Sequence, residues 1–412
     1  MTLLANSARV SSLCYISPRF PSASMVFEQN EILGLIEAGA DVQVVVCRRP
    51  SRRDWCELHS FARPIVARAV YPALRRLPLG LLLAVRSPTD LARCLWWCFS
   101  SGRNPLALPK VFGALIVALT SFSKDELRSV DWIHADFGQH SATVALFLST
   151  LLKRPFSFKV HAFDIFDSNP WRADALRSRK LKSARVVFSV HEFGRRWLAQ
   201  TGEIDLSKTV LNPVAVRTRE FSALTEALTS RRFVALGRLV RKKGFDVLIR
   251  ATAMLAGRGV RVDVDIYGSG PENDGLRALI EELGLEQSVR LRGAYANESL
   301  PDMLADCVAL VAPSVRDPWG DMDGIPTVIY EAMVLARPVI ASALSAIPEV
   351  VHQGLNGLLV TPGSAVELAD AMNRLLDDPA QAAALGKAGR TFVVQEHDCA
   401  ITAERLLGAL MS

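Results

Sequence analysis

The segment DMDGIPTVIYEAM, Asp321–Met333, places two acids, Asp323 and Glu331, on either side of seven other residues. Its pattern predicts a loop and then a helix, with Asp323 at the helix N-terminus and Glu331 about two turns inside. The backbone expected at that terminus belongs to Gly324, Ile325, Pro326 and Thr327. Free N–H groups and the helix dipole bind anions there, and a carboxylate accepts hydrogen bonds from hydroxyls. A site for a phosphate beside a site for sugar hydroxyls is what a nucleotide sugar requires. The alternative is a capped helix with a solvated acid.

Basic residues follow the predicted strand RFVALGR, which ends at Gly237 and Arg238. Lys243 comes shortly afterwards, before a predicted helix. Ligands of open α/β sheets bind at the carboxyl ends of the strands. The guanidinium fork of Arg238 and the mobile charge of Lys243 suit a diphosphate there, whereas a solvated basic turn is the alternative.

A glycine-rich turn follows the predicted strand that ends in IYGSGPE, with Gly268 and Gly270 in the turn. These glycines indicate either close approach of the backbone to a ligand or a tight turn. The sequence contains neither GxGxxG at this turn nor a P-loop GxxxxGK[ST] anywhere. A dinucleotide oxidoreductase is disfavoured because FPSAS, and not GxGxxG, follows the first predicted strand.

Candidate residues of the first half lie at predicted strand ends. KVHAFDIF places His161 near Asp164, and WIHADFG places His134 and Asp136 on one side of a strand. A strand-end histidine can contact a substrate oxygen, although a structural histidine is the alternative. The spacing gives no ligand cluster, so no metal is predicted. The loop FPSAS offers Ser22 and Ser24 to donor or acceptor, or a helix N-cap.

The composition is that of a globular protein with an uneven charge distribution. Residues 1–212 carry 28 Lys and Arg against 17 Asp and Glu, whereas residues 213–412 carry 20 against 25. A basic first half suggests an anionic partner or a solvated basic face. The cysteines show no CxxC, and Cys94 and Cys98 are predicted to be buried thiols of a reducing cytosol. We predict no signal peptide and no transmembrane helix.

Strand and helix patterns alternate along most of the chain and predict two successive α/β domains. Residues 1–212 form the first, with a helical insertion at about 50–125 and the C-terminal helix 395–412 packed back on it; residues 213–394 form the second. The fold class is α/β, as two Rossmann-like domains facing across a cleft.

Taken together, these motifs resemble glycosyltransferase family 4, retaining enzymes of GT-B fold, in the branch that builds bacterial exopolysaccharide and lipopolysaccharide. FVALGRLVRKKGFDVLIRA, IYGSGPENDGLRALIEELGL, DGIPTVIYEAM and IPEVVHQGLNGLLVTPGS occur in the family's order. The family's E-x7-E pattern falls on Asp323 and Glu331. The resemblance implies that Arg238 and Lys243 hold the donor diphosphate, that Glu331 contacts the ribose, and that His161 lies near the reacting sugar.

The resemblance also implies a reaction and its partners. A sugar moves from a nucleoside diphosphate sugar to a lipid-linked or saccharide acceptor with retention, no metal is required, and His161, Asp323, Arg238 and Lys243 are catalytic. Ser22, Ser24, Asp136 and Asp164 lie on the acceptor side. We expect no nucleic-acid partner and a cytoplasmic protein. The 50–125 region lies either against an anionic membrane surface or as an internal helical cap on the first domain. A degenerate nucleotide-sugar-binding subunit and a GT-B-like epimerase are the alternatives.

Overall fold

The computed structural model describes residues 12–22, 25–56, 62–100, 107–161, 164, 174–224 and 230–411. The chain divides into two compact units, Met1–Ala215 with Cys399–Ser412, and Val216–Asp398. Each unit is built around its own parallel sheet. The sequence-based boundaries were 212/213 and 394/395.

The first unit contains a seven-stranded sheet of order β3-β2-β1-β4-β5-β6-β7, in which every pair is parallel. The strands are β1 (Ser12–Arg19), β2 (Asp41–Arg48), β3 (Ala69–Val70), β4 (Trp132–Asp136), β5 (Phe156–Val160), β6 (Val186–Ser189) and β7 (Thr209–Leu211). The short strands β3 and β7 were not predicted. The order reverses between β1 and β4, which opens a crevice at the carboxyl ends of these strands.

The helices of this unit begin with α1 (Val26–Glu37), which ends before Gly39 as predicted. The predicted helical insertion consists of α2 (Arg52–Cys56), α3 (Arg63–Val66), α4 (Leu77–Ala84), α5 (Pro88–Ser100) and α6 (Leu108–Phe122). Next come α7 (His140–Leu152), α8 (Arg177–Ser183) and α9 (Glu192–Gln200). Cys94 and Cys98 are buried thiols, as predicted.

The C-terminal helix packs on the first unit, which confirms that prediction. It lies at Cys399–Met411 in the chain, and Ala403, Leu406 and Leu410 join the apolar core around β1 and β2. Its contact with α1 is close, because a Cβ added at Gly34 would lie 2.5 Å from the carbonyl oxygen of Cys399. A glycine is therefore required where α1 meets this helix.

The second unit contains a six-stranded parallel sheet of order β10-β9-β8-β11-β12-β13. The strands are β8 (Arg232–Leu236), β9 (Asp263–Tyr267), β10 (Val289–Gly293), β11 (Ala309–Ala312), β12 (Val339–Ser342) and β13 (Leu358–Val360). The helices are α10 (Phe245–Gly257), α11 (Asn273–Glu282), α12 (Leu300–Leu304), α13 (Thr327–Val334), α14 (Ala365–Asp377) and α15 (Pro379–Glu396), and the C-terminal helix above is α16. The order reverses between β8 and β11, so a ligand is expected where these two strands end.

Among the described residues, no helix is both long enough and apolar enough to cross a membrane.

Candidate functional site

Three loops meet at the carboxyl ends of β9, β8 and β11, and glycines allow them to touch. A Cβ at Gly268 would lie 1.8 Å from the carbonyl oxygen of Gly237, and one at Gly270 would lie 2.3 Å from that of Leu239. Gly268 and Gly237 also have positive φ angles of 149° and 147°. These glycines let the turn approach the chain's own backbone closely, and close approach to a ligand stays a prediction. Sequence patterns could not identify that neighbour, because it lies on another strand.

Lys243 is the centre of the charged cluster in this crevice. Its side chain crosses Gly237, where an added Cβ would lie 3.3 Å from Lys243 Cε. Its Nζ lies 2.7 Å from Asp323 Oδ2. Lys242 Nζ lies 3.4 Å from Asp323 Oδ1 and 3.1 Å from Asp321. Two ammonium groups therefore surround one carboxylate, and an incoming phosphate would meet the same two cations.

The pKa values of Asp323 and Glu331 are shifted in opposite directions. Burial alone would raise the pKa of Asp323, but Lys243 and Lys242 outweigh it, and the pKa is lowered from 3.8. Burial raises the pKa of Glu331 from 4.5 to about 7, and Lys243 opposes that rise. Asp323 is thus an anion at neutral pH, whereas Glu331 changes charge near pH 7. Glu331 also affects Tyr295, whose pKa is raised mainly by burial and further by Glu331.

The predicted helix N-terminus is present, with one correction. α13 begins at Thr327 after Pro326, and no side chain of the described residues caps it. Glu331 lies about one turn inside the helix, not two, because the turn Gly324–Pro326 precedes the first helical residue. The first N–H groups of α13 have no side-chain cap, and such groups attract anions.

Arg238 lies beside Gly237 in the same loop and is exposed to solvent. The contacts of the described residues include no ion pair for its guanidinium, which leaves its side chain available to an anion. The sequence-predicted donor residues Gly237, Arg238, Lys243, Asp323 and Glu331 thus lie on the strand ends β8 and β11 and on α13.

His161 of the first unit is held on several sides. Its Nε2 lies 2.7 Å from Asp136 Oδ1, and its ring stacks on Phe137 at 4.3 Å. Asp164 Oδ2 accepts the backbone N–H groups of His161 and Gly138, each at 3.0 Å. Burial raises the pKa of Asp164 to about 6, and the nearby His161 opposes that rise. Asp136 and Asp164, predicted as acceptor-side residues, both hold His161.

A second polar cluster lies beneath His161. Lys159 Nζ forms an ion pair with Glu31, which also accepts the hydroxyl of Tyr15 at 2.9 Å. His134 Nδ1 lies 2.8 Å from Ser157 Oγ, and burial lowers the pKa of His134 to about 4. His134 is therefore a neutral core histidine. Among the described residues, no three His, Cys, Asp or Glu side chains are grouped to hold a metal.

The loop before α1 gives only part of what was predicted. Ser22 is buried, and its carbonyl accepts Gln29 Nε2 at 3.0 Å. Ser24 lies outside the described residues. The residue that caps α1 is Met25, and no side-chain hydrogen bond is made there, so the N-cap alternative is wrong for the described Ser22.

Sequence reasoning missed three groups. Lys242 joins the charged cluster, Tyr295 lies near Glu331, and the buried Lys180 Nζ donates to the carbonyls of Gly138 and Gln139 at 2.6 and 2.9 Å. Lys242 stands beside Lys243 in the KKG motif, and Tyr295 follows a predicted strand, so both had a positional signal. Lys180 had none, because its partners are distant in sequence.

Comparison with known proteins finds a family model that matches most of the second unit. Residues 216–392 match the family model of glycosyl transferases group 1. A segment is 38% identical over 136 residues to WcaL, a glycosyltransferase assigned to colanic acid biosynthesis in Salmonella typhimurium. That match covers 33% of this chain and only 34% of WcaL. The amylovoran biosynthesis glycosyltransferase AmsK of Erwinia amylovora is 26% identical over 402 residues, covering 93% of this chain and 95% of AmsK.

Solved structures share the fold along nearly the whole chain. Anabaena Alr3699/HepE in complex with UDP-glucose has a TM-score of 0.70 at 19% identity, covering 97% of this chain and 99% of its own. Sucrose-phosphate synthase from Thermosynechococcus elongatus has a TM-score of 0.72 at 20% identity, covering 97% and 98%. The predicted α/β fold with two Rossmann-like domains of GT-B type is confirmed.

Proposed function

Because residues 216–392 match the family model of glycosyl transferases group 1, we propose that the chain transfers a sugar from a nucleoside diphosphate sugar to an acceptor hydroxyl. The observation that carries this proposal is the cluster of Lys243, Lys242 and Asp323 at the uncapped start of α13. Full-length similarity to AmsK supports a role in cell-surface polysaccharide synthesis, of exopolysaccharide or lipopolysaccharide.

The donor's diphosphate would lie against Arg238, Lys243 and the first N–H groups of α13. These charges would stabilise the negative charge that develops on the leaving diphosphate, without a metal ion. Glu331, about one turn inside α13, would accept the ribose hydroxyls. The side chain of Asp323 and the backbone of Gly324–Thr327 would contact the donor sugar.

We propose retention by front-side attack, as in family 4. The acceptor oxygen forms the new bond to the anomeric carbon on the face from which the diphosphate departs. The bond between that carbon and the diphosphate oxygen breaks, and that oxygen takes the acceptor's proton. His161 would orient a hydroxyl of the sugar.

The experiment is a panel of UDP-, GDP-, ADP- and dTDP-sugars tested by thermal shift and saturation-transfer NMR. One donor should stabilise the wild type, and Lys243→Ala should abolish that stabilisation. Lys387→Ala removes an exposed lysine of the same unit and is the matched control. If no donor binds, or if binding survives in Lys243→Ala, the proposed donor site is wrong.

The acceptor is proposed to be lipid-linked, because the helical insertion exposes an apolar surface with arginines. α4 reads LPLGLLLA, yet its buried residues are only Gly80 and Ala84. A Cβ at Gly80 would lie 2.1 Å from the carbonyl oxygen of Leu119, so this small face is the one that contacts α6. Its leucines therefore face solvent, with Leu82 64% exposed.

The neighbouring helix α5 adds aromatic groups to this surface. Trp96 is 67% exposed and Phe99 is 66% exposed. Arg75 and Arg86, before and after α4, are also exposed. Large apolar groups beside arginines suit the interface of an anionic bilayer, and we propose that the protein is peripheral on the inner face of the cytoplasmic membrane.

Sedimentation with vesicles tests this surface. Binding to vesicles containing phosphatidylglycerol should exceed binding to pure phosphatidylcholine and should weaken as salt is raised. Leu82→Ser with Trp96→Ala should reduce binding at least about tenfold, because each removes apolar area from the contact. Trp319→Ala, at an exposed tryptophan of the second unit, is the control. Equal sedimentation of all variants would contradict the proposal.

A further inference from the structure

Glu28 is a buried acid beneath His161 that the proposed reaction does not use. It lies on α1 and is 1% exposed, and Asp136 on β4 is also 1% exposed. Together with Phe27, Glu31, Lys159 and His161 they line one narrow space in the first unit. The charges of Glu28 and Asp136 therefore act on each other.

The three acids that line this space, Glu28, Glu31 and Asp136, differ in the hydrogen-bond and ion-pair partners that they have. Glu31 has Lys159 and the hydroxyl of Tyr15. Asp136 has His161 on Oδ1, but its Oδ2 lacks a hydrogen-bond partner among the described residues. Both carboxyl oxygens of Glu28 likewise lack a hydrogen-bond partner there. Glu28 is thus the one acid of the three that no cation or imidazole balances.

We propose that Glu28 is protonated and shares its proton with Asp136, so that this pair fixes the ring of His161. Two buried carboxylates that line one narrow space repel each other when both are ionised, and a single proton between them relieves the repulsion. The proton lies between the unpartnered oxygens of the two acids, which leaves Oδ1 of Asp136 to His161 Nε2. Glu28 is then a positioning residue for His161, and its importance for turnover rests on the proposed function.

The electrostatic surroundings agree with this assignment. Burial and then the charge of Asp136 raise the pKa of Glu28 well above its ordinary value, and the Ser17 hydroxyl opposes this in part. The titratable and charged groups around Glu28 come from every strand beside it. They are Tyr15 on β1, Glu31 on α1, Cys47 on β2, His134 and Asp136 on β4, Lys159 on β5, and His161.

Infrared difference spectroscopy on the full-length protein, without any substrate, tests the proposal. At pH 7 the wild type should show one carbonyl band of a protonated carboxylic acid that is missing from Glu28→Gln, whereas the bands of the partly protonated Glu331 and Asp164 should be common to both proteins. Glu37→Gln, at an exposed acid on the same helix, should keep the band. A wild-type spectrum identical to that of Glu28→Gln in this region would overturn the proposal.

Glu28→Gln could fail to fold, so the proposal is also tested with a second variant, Asp136→Asn, and with a second signal, that of the His161 ring. In Asp136→Asn the charge that disfavours ionisation of Glu28 is gone, so the band should vanish at a lower pH than in the wild type. With 13C-labelled histidine, the ring signal of His161, assigned through His161→Gln, should change in the wild type over the pH range in which the band vanishes. That linked change should be missing in Glu28→Gln.

An unchanged band in Asp136→Asn, or a His161 signal insensitive to the loss of the band, would overturn the pairing. These measurements involve no donor, so their failure would leave the nucleotide-sugar site untouched. Failure of the nucleotide-sugar panel would, in turn, leave the proton-sharing pair standing.

Discussion

The variant Glu331→Gln should be more stable than the wild type, and this difference should grow as the pH rises. The pKa of Glu331 is raised in the folded protein from 4.5 to about 7, mainly by burial. A raised pKa means that the folded state binds a proton more tightly than the unfolded chain, so the wild type loses stability as pH rises from 4.5 through 7. Gln cannot ionise and escapes that loss.

The magnitude follows from the shift. At about 1.4 kcal/mol per pKa unit, the rise from 4.5 to about 7 corresponds to about 3 kcal/mol for a fully buried group. Glu331 is half-buried, and solvent screening reduces the expected gain to roughly 1–3 kcal/mol. The difference between variant and wild type should be near zero at pH 5 and complete above pH 7.

The assay is thermal unfolding of wild type and Glu331→Gln in steps from pH 5 to 8. For a unit of this size, each kcal/mol moves Tm by roughly 2–4 °C. Glu282→Gln changes an exposed acid at the end of α11 and should follow the wild type at every pH. Parallel pH curves for Glu331→Gln and wild type would refute the reasoning, because they would show that Glu331 is ionised throughout.

Three further outcomes are expected. Gly268→Ala should cost at least about 2 kcal/mol of stability, because its Cβ would lie 1.8 Å from the carbonyl oxygen of Gly237. Gly275→Ala, in open space on α11, is the control and should be neutral or stabilising. Equal urea unfolding midpoints for the two variants would contradict this prediction. Lys180→Met should cost roughly 3–5 kcal/mol by leaving Asp174 unpaired, and the exposed Lys182→Met should cost little in the same denaturation. Transferase activity should persist in EDTA; its loss, with recovery on adding Mg²⁺ or Mn²⁺, would show that a metal neutralises the diphosphate.

The similarity to glycosyl transferases group 1 and the grouping of much of the candidate donor site could be predicted from local patterns. Asp323, Glu331 and the intervening turn lie on one loop and helix, and Lys243 follows a predicted strand, so short-range spacing was enough to associate them with one strand-to-helix edge. The C-terminal helix was also predicted correctly, because its amphipathic pattern demands an apolar partner. Spacing alone overestimated how deep Glu331 lies in α13, since the turn before Thr327 has no helical signal.

Tertiary structure decided which distant residues face each other. The need for glycine at Gly268 comes from the carbonyl of Gly237, and the lowered pKa of Asp323 comes from lysines on another strand's loop. The outward leucines of α4 follow from its contact with α6 through Gly80, which a uniformly apolar sequence does not reveal. The proposed pairing of Glu28 with Asp136 likewise depends on α1 and β4 burying both acids around one narrow space. Local spacing determines which residues share an element, whereas burial, charge and proton sharing depend on neighbours that only the folded chain brings together.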